Sequence, residues 1–432
     1  MAVEPVTVPD HATARSAAAF RRTAALVPRT IVGNSRFPVP IFLTGGDGCR
    51  VTDADGRRYI DLTMGLGANI LGHRAPAVMD ALAQQMQLGI HYGVPALGED
   101  DLAELVLAAG AGAEQVVFHA SGTEAVMAAL RGARGHTGRP LVGIFEGGRH
   151  GWYDDTLYDL GPGVEPKSRM TGVVGHGDRT LVLPFMDAAA FDAIERAAGE
   201  LAVVLVEPVQ TTAPNPAPAM FLRQLRECCD QAGVLLAFDE VVTGFRVGPG
   251  GGAVRYGVQP DLVTYGKLIG GGLPVGAVAG RADVMASFAP SGGCRTGGTF
   301  SAHPLTVAAG RAVLEELRDT SAHDDLEAQS SRFVRLVNGL MSDAGVSAHM
   351  VHAGSMLYLY WQNDPVTSGG DVDRSSDEAG RALSRHLLRH GVLAPAAHVW
   401  FLSTAHTASD VDEVVEAIGR ALIDMRADGL VG

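Results

Sequence analysis

The chain has 432 residues, 47% of them hydrophobic, and a net charge of −14 from 48 acidic and 34 basic side chains. That length and apolar fraction exclude a small binding module, and the acidic balance excludes a surface that generally attracts nucleic acid. Four cysteines at 49, 228, 229 and 294 give no disulfide framework, no stretch approaches the ~20 apolar residues of a membrane span, and Met1–Asp10 lacks the basic start and apolar core of an export signal, so a cytoplasmic protein free of membrane contact is expected.

In chain order, residues 1–70 read as an extended arm followed by short strands between Ile41 and Leu62, and a helix is expected over 78–86. Strands follow at 116–119, 141–145, 202–206, 234–238, 262–265 and 276–279, separated by segments of helix length such as 125–134 and 219–232. This alternation predicts a largely parallel sheet flanked by helices. A long helix over 305–318 leads to a strand at 354–361 and a polar, glycine-rich loop at 363–377. A helix over 409–425 then closes the chain. There is no internal repeat.

The chemistry-bearing residues fall at the ends of these strands. Lys267 lies between the apolar run Leu262–Tyr265 and the triplet Gly270-Gly271-Gly272, and a strand-end amine beside desolvating residues loses some preference for its protonated form and can condense with an aldehyde. Asp239 ends the run Val234–Phe238, so the two can share one sheet edge. A pyridine aldehyde cofactor uses such a pair: the lysine holds the aldehyde carbon and the carboxylate keeps the ring nitrogen protonated. Ser121-Gly122-Thr123, between a short apolar strand and an alanine-rich helix, supplies a phosphate cradle. Taken singly, each has a plainer reading as turn residue, N-cap or connection. Their order and strand context favour a site. The fifteen histidines show no metal-ligand spacing, and no catalytic metal is expected.

Over nearly its whole length the sequence resembles the class III, fold type I pyridoxal-phosphate aminotransferases, in the branch with glutamate-1-semialdehyde aminomutase and β-amino acid aminotransferases. The motifs above carry the resemblance. So do Asn34-Ser35-Arg36, the segment Val51 to Asp61, Gly72-His73, Glu207-Pro208, Asp239 to Arg246, Gly297 to Ser301 and Ser403 to Thr407. It implies an α/β fold: a large cofactor domain over 71–305 with a mostly parallel central sheet, and a smaller α+β domain built from 1–70 and 306–432. It also implies pyridoxal 5′-phosphate, with Lys267 as the Schiff-base lysine, Asp239 on the pyridinium nitrogen and Val241 against one ring face. Ser121, Gly122 and Thr123 match the phosphate turn, and Glu207 a site-lining glutamate. Thr299 matches a threonine that reaches the neighbouring subunit's phosphate, which implies a homodimer with shared active sites.

Several positions depart from the family pattern. Arg149 stands where a ring-stacking tyrosine is usual, leaving stacking to His150, to Trp152 or to no aromatic residue. Ala120 replaces an asparagine before the phosphate turn. Leu66 stands in place of an aromatic residue of the aminomutase, and 394–400 lacks that enzyme's glutamate. These last two changes favour an aminotransferase with a small-molecule amino donor and a keto acid or aldehyde acceptor, working by a ping-pong mechanism through the Lys267 Schiff base. The aminomutase is the alternative, and a catalytically degenerate fold or an amino acid epimerase are lesser ones. Arg36 is expected to hold a substrate carboxylate, with Arg149, Trp152, Leu66, His398 and Trp400 on the substrate side.

Overall fold

The computed structural model describes residues 14–27, 37, 40–160, 166–168, 172–173, 177–214, 218–366, 371 and 377–431. Arg36 and most of the glycine-rich loop at 363–377 lie outside the described residues. The chain divides into two compact units, one of Met1–Ala75, Asp325–Pro365 and Val372–Gly432, the other of Pro76–Asp324 and Val366–Asp371.

The first unit opens with the helix Ala14–Leu26 and three short antiparallel strands, β1 (Leu43–Asp47), β2 (Arg50–Asp53) and β3 (Arg58–Asp61). The turn between β2 and β3 follows from Asp53, whose Oδ1 accepts the N–H groups of Asp55 and Arg57 at 2.9 and 2.8 Å. An aspartate that bonds the backbone ahead of it closes a turn without help from elsewhere.

The second unit carries a seven-stranded sheet. Its strands are β4 (Gln115–His119), β5 (Leu141–Phe145), β8 (Thr180–Leu183), β9 (Leu201–Val206), β10 (Leu235–Glu240), β11 (Leu262–Gly266) and β12 (Gly276–Gly280), in the order β4-β12-β11-β10-β9-β5-β8. A separate hairpin pairs β6 (Tyr158–Leu160) with β7 (Pro166–Ser168). Strands β8, β5, β9, β10 and β11 run parallel, whereas β12 is antiparallel to both β11 and β4. Every residue of β9 to β12 is buried, as expected of a sheet covered on both faces. Each fully buried Val or Leu side chain there contributes about 1.5–3 kcal/mol. Helix Gly122–Thr137 buries Ala125, Ala128, Ala129 and Ala133 against this sheet, and its small side chains let the helix backbone come close.

The central strands match the sequence expectation to within two residues at each end. The exceptions are β8, whose short apolar run at 181–183 stands outside the expected strands, and the β6–β7 hairpin, which lies in a more polar segment. Back in the first unit, β13 (His349–Ala353), β14 (Met356–Tyr360) and β16 (Trp400–Phe401) form a three-stranded antiparallel sheet. Strand β15 (Val392–Leu393) adds in parallel to β3, and helix Ala408–Ala427 starts with a capping box between Thr407 and Asp410. Among the described residues no helix is long and apolar enough to cross a membrane.

Candidate active site

The sheet gathers the candidate residues by direction alone. Strands β4, β5, β9, β10 and β11 all end on one edge, and the antiparallel β12 begins there, with Gly276 opposite both His119 and Gly266. The residues at or just after those ends are Ser121, Arg149 with His150, Glu207, Asp239 and Lys267. Ligands bind at this carboxyl edge in open α/β sheets.

Asp239 is 4% exposed. Its Oδ1 accepts the Val241 N–H and the Thr264 hydroxyl, both at 3.1 Å, and its Oδ2 lies 2.7 Å from His150 Nδ1. A carboxylate only accepts, so Nδ1 carries the proton in that bond. Two oxygens offer about four acceptor positions, and these three donors leave room for one more. His150 Nε2 is buried with no hydrogen-bond partner among the described residues. Glu207 accepts the Arg149 and Thr211 N–H groups at 2.7 and 3.1 Å. Burial pushes its carboxyl above the ordinary range, with His150 opposing and Asp239 adding to the rise.

The next acid along, Glu240, is also buried and accepts the N–H groups of Gly252 and Ala253 and the Thr243 hydroxyl. These bonds favour its ionised form, yet burial dominates and raises its carboxyl to about 7. It anchors the start of helix Gly251–Tyr256.

The phosphate-type turn is formed by Ser121, the N-cap of its helix. The Ser121 hydroxyl accepts the Glu124 N–H at 3.2 Å, and the Glu124 carboxylate accepts the Ala120 N–H at 2.9 Å. Gly122 and Thr123 occupy the first helical positions, where N–H groups have no intrahelical acceptor. A Cβ on Gly122 would lie 2.9 Å from Val241 Cγ1, and one on Gly266 would lie 3.1 Å from the same atom. Val241 therefore sits between the anion turn and the lysine turn. A Cβ on Gly151 would overlap Thr123, so the loop carrying His150 closes against the same cradle.

Lys267 is half-buried, in a segment where every other residue from Asp261 to Gly270 is buried. Its φ is +49°, a left-handed conformation uncommon outside glycine.

The remaining candidates are spread over both units. Arg149 is exposed, and Trp152 is 75% exposed. Thr299 is exposed and lines a cavity of about 670 Å³ together with His119, Glu124, Arg131 and Arg295, a lining that contains neither Lys267 nor Asp239. In the first unit, Leu66 is half-buried with φ +57°, His398 is half-buried, and Trp400 is buried with its Nε1–H donating to the Pro395 carbonyl at 3.1 Å. Sequence reasoning missed Thr264 and Glu240. Thr264 was detectable as a lone hydroxyl inside an apolar strand three residues before Lys267, and Glu240 as the second acid at the end of a buried run.

The residues present fit pyridoxal phosphate. Asp239 keeps an acceptor position, the helix start offers N–H groups, and the glycines at 122, 151 and 266 let Val241 and Thr123 close against the turns around them. A pyridoxal-phosphate-dependent enzyme of fold type I is the class this fold and site define. The chain belongs to the class-III aminotransferases, whose family model matches residues 31–422, and its cofactor is pyridoxal 5′-phosphate. It is 40% identical over 393 residues to glutamate-1-semialdehyde 2,1-aminomutase of Thermomicrobium roseum, covering 89% of this chain and 91% of that protein. It is similar in structure to an omega-transaminase from Sphaerobacter thermophilus, with a TM-score of 0.90, 33% identity and coverage of 96% and 99% of the two chains. It is also similar to a beta-phenylalanine aminotransferase from Variovorax paradoxus, with a TM-score of 0.87, 34% identity and coverage of 97% and 96%.

Proposed function

We propose that this enzyme is an aminotransferase that moves an amino group from an amino acid or amine to a keto acid or aldehyde in two half-reactions. The observation that carries the reading is the pairing of a half-buried Lys267 with a buried, hydrogen-bonded Asp239 on adjacent strand ends. When bound, pyridoxal phosphate supplies an aldehyde that joins an amine and a ring that withdraws electrons from the bonds beside it.

The chain's residues divide the remaining work. Asp239, buried and held by three donors, would meet the ring nitrogen and hold its proton. His150 holds that carboxylate in place. Gly122 and Thr123 would receive the phosphate on their N–H groups, with Val241 against the ring. Lys267, once its amine is free, is the base that takes the proton from the substrate carbon bearing the amino group. Arg149, exposed beside these residues, suits a substrate carboxylate, and Arg36 is proposed for the same role.

We assign the enzyme to a homodimer. Leu88, Ile90, Val94, Leu97 and Phe300 expose 56–98% of their area, an apolar surface of the kind a partner covers. Thr299 adjoins it in sequence and would reach the partner's site. The four cysteines are unpaired, as a reducing cytoplasm would keep them.

The test is the visible spectrum of the holoenzyme with a panel of amino acids, β-amino acids and amines but no acceptor. A donor that converts the cofactor to its amine form supports transamination. Lys267→Ala should lose turnover by roughly 10³–10⁴-fold or more, and a variant with full turnover would sink the reading. The Thermomicrobium relative favours a second reading, an aminomutase. That reaction returns the amino group to the same molecule, so the product would have the mass of the substrate and no acceptor would be consumed.

A further inference from the structure

A non-glycine residue in a left-handed conformation costs roughly 1–2 kcal/mol and persists only where its surroundings fix it. At Lys267 those surroundings are on the helix Pro304–Asp319. A Cβ built on Gly310, in the middle of that helix, would fall on the carbonyl oxygen of Ile269, far inside contact distance, and would lie 3.3 Å from Leu102 Cδ1. One turn earlier, the Thr306 hydroxyl donates to the Pro274 carbonyl at 3.3 Å. From the other side, a Cβ on Gly271, itself at φ +59°, would lie 2.9 Å from both the Cβ and the carbonyl oxygen of Ala309. The helix backbone thus rests directly on the short turn Lys267–Gly270, with no side chain between them.

Glycine inside a helix costs about 0.5–1 kcal/mol relative to alanine. The buried contact gives this cost a cause. We propose that Gly310 is a positioning residue for Lys267: the bare helix backbone is a stop against which the lysine's turn is seated, so it aims the amine without touching the cofactor. The inference rests on the reading of Lys267 as the cofactor-linked lysine. Any side chain at 310 must push the Ile269 carbonyl back, and the turn carrying Lys267 moves with it.

The test uses the holoenzyme and its Gly310→Ala, Thr306→Val and Gly339→Ala variants. Gly339 is an exposed helical glycine with open space around its Cβ position, so its variant controls for helix propensity. The readouts are the pH titration of the lysine-linked chromophore, cofactor occupancy, thermal midpoint, and the site of the label fixed by borohydride reduction. Gly310→Ala is expected to shift the chromophore's midpoint by about one pH unit and to lower turnover by roughly 100-fold, while Gly339→Ala matches wild type. A folded Gly310→Ala enzyme with wild-type midpoint and occupancy overturns the proposal, even if its thermal midpoint falls, because that is the mark of a purely structural role.

Should Gly310→Ala fail to fold, Thr306→Val decides. It preserves volume and removes only the hydroxyl's hold on Pro274, so a shifted midpoint supports the proposal and an unshifted one overturns it. A borohydride label found on a residue other than Lys267 would overturn the functional reading and this inference with it, a result distinct from an unshifted midpoint.

Discussion

Two neighbouring strand ends hold their charged groups by opposite means. At the end of β10, Asp239 is fixed by hydrogen bonds from Val241, Thr264 and His150. At the end of β11, Lys267 is placed through its backbone, by a left-handed residue and by glycines that let a helix close on its turn. The difference follows from what each group must do. A buried carboxylate that stays ionised needs its lone pairs satisfied, and every donor adds to its rigidity. The turn that carries Lys267 is set by close main-chain packing, so a change in that packing moves the residue with it.

This contrast can be broken at either end. The largest effect in the acid arm is expected for Asp239→Asn, which keeps the shape and removes the charge. Turnover should fall by roughly 10²–10³-fold while Lys267 still forms its cofactor link, and steady-state rates together with the visible spectrum check both halves. An unchanged rate would detach Asp239 from the chemistry.

A second buried histidine, His406, sharpens the comparison through stability. His406 in the smaller unit accepts the Ser403 N–H at 3.0 Å on Nδ1, and burial pushes it down from the usual 6.5 to about 4, against opposing pulls from Asp61 and Asp410. The unfolded chain therefore binds the proton first. The stability tied to neutral His406 is intact above pH 6.5 and is lost as pH falls toward 4, by about 2–3 kcal/mol. Urea midpoints at pH 7.5 and 4.5 should show this acid loss shrinking in His406→Gln.

The smallest effect is expected for His150→Phe, which leaves one Asp239 oxygen without its donor. Turnover should fall by roughly tenfold or somewhat more, the order seen when an outer partner of a site group is removed. Thermal midpoints would show whether packing was preserved.

Much of this was legible in the sequence, for identifiable reasons. Apolar runs of four to six residues marked the central strands, and strand-end positions brought Ser121, Glu207, Asp239 and Lys267 to one edge. The bond between His150 and Asp239 was not legible, because it joins residues 89 positions apart and depends on β9 lying between β5 and β10. Thr264 carried a faint signal, but its role depends on register, which sets it opposite Asp239. The seating of Lys267 left no mark at all: Gly310 reads as an ordinary helical glycine until the Ile269 carbonyl is seen against it.

The antiparallel direction of β12 has a kinetic consequence. A parallel successor to β11 would need a long crossover, but β12 turns back within ten residues, from Gly266 to Gly276. The lysine's turn is thus part of a local hairpin, whose closure entropy is small, whereas the acid pair must close a far longer stretch of chain. On folding, the β11–β12 hairpin can close from its own neighbourhood, but the left-handed turn at Lys267 also needs the helix Pro304–Asp319 to pack on it. The bond between His150 and Asp239 waits for distant strands to assemble, so the hairpin's pairing precedes the completed site.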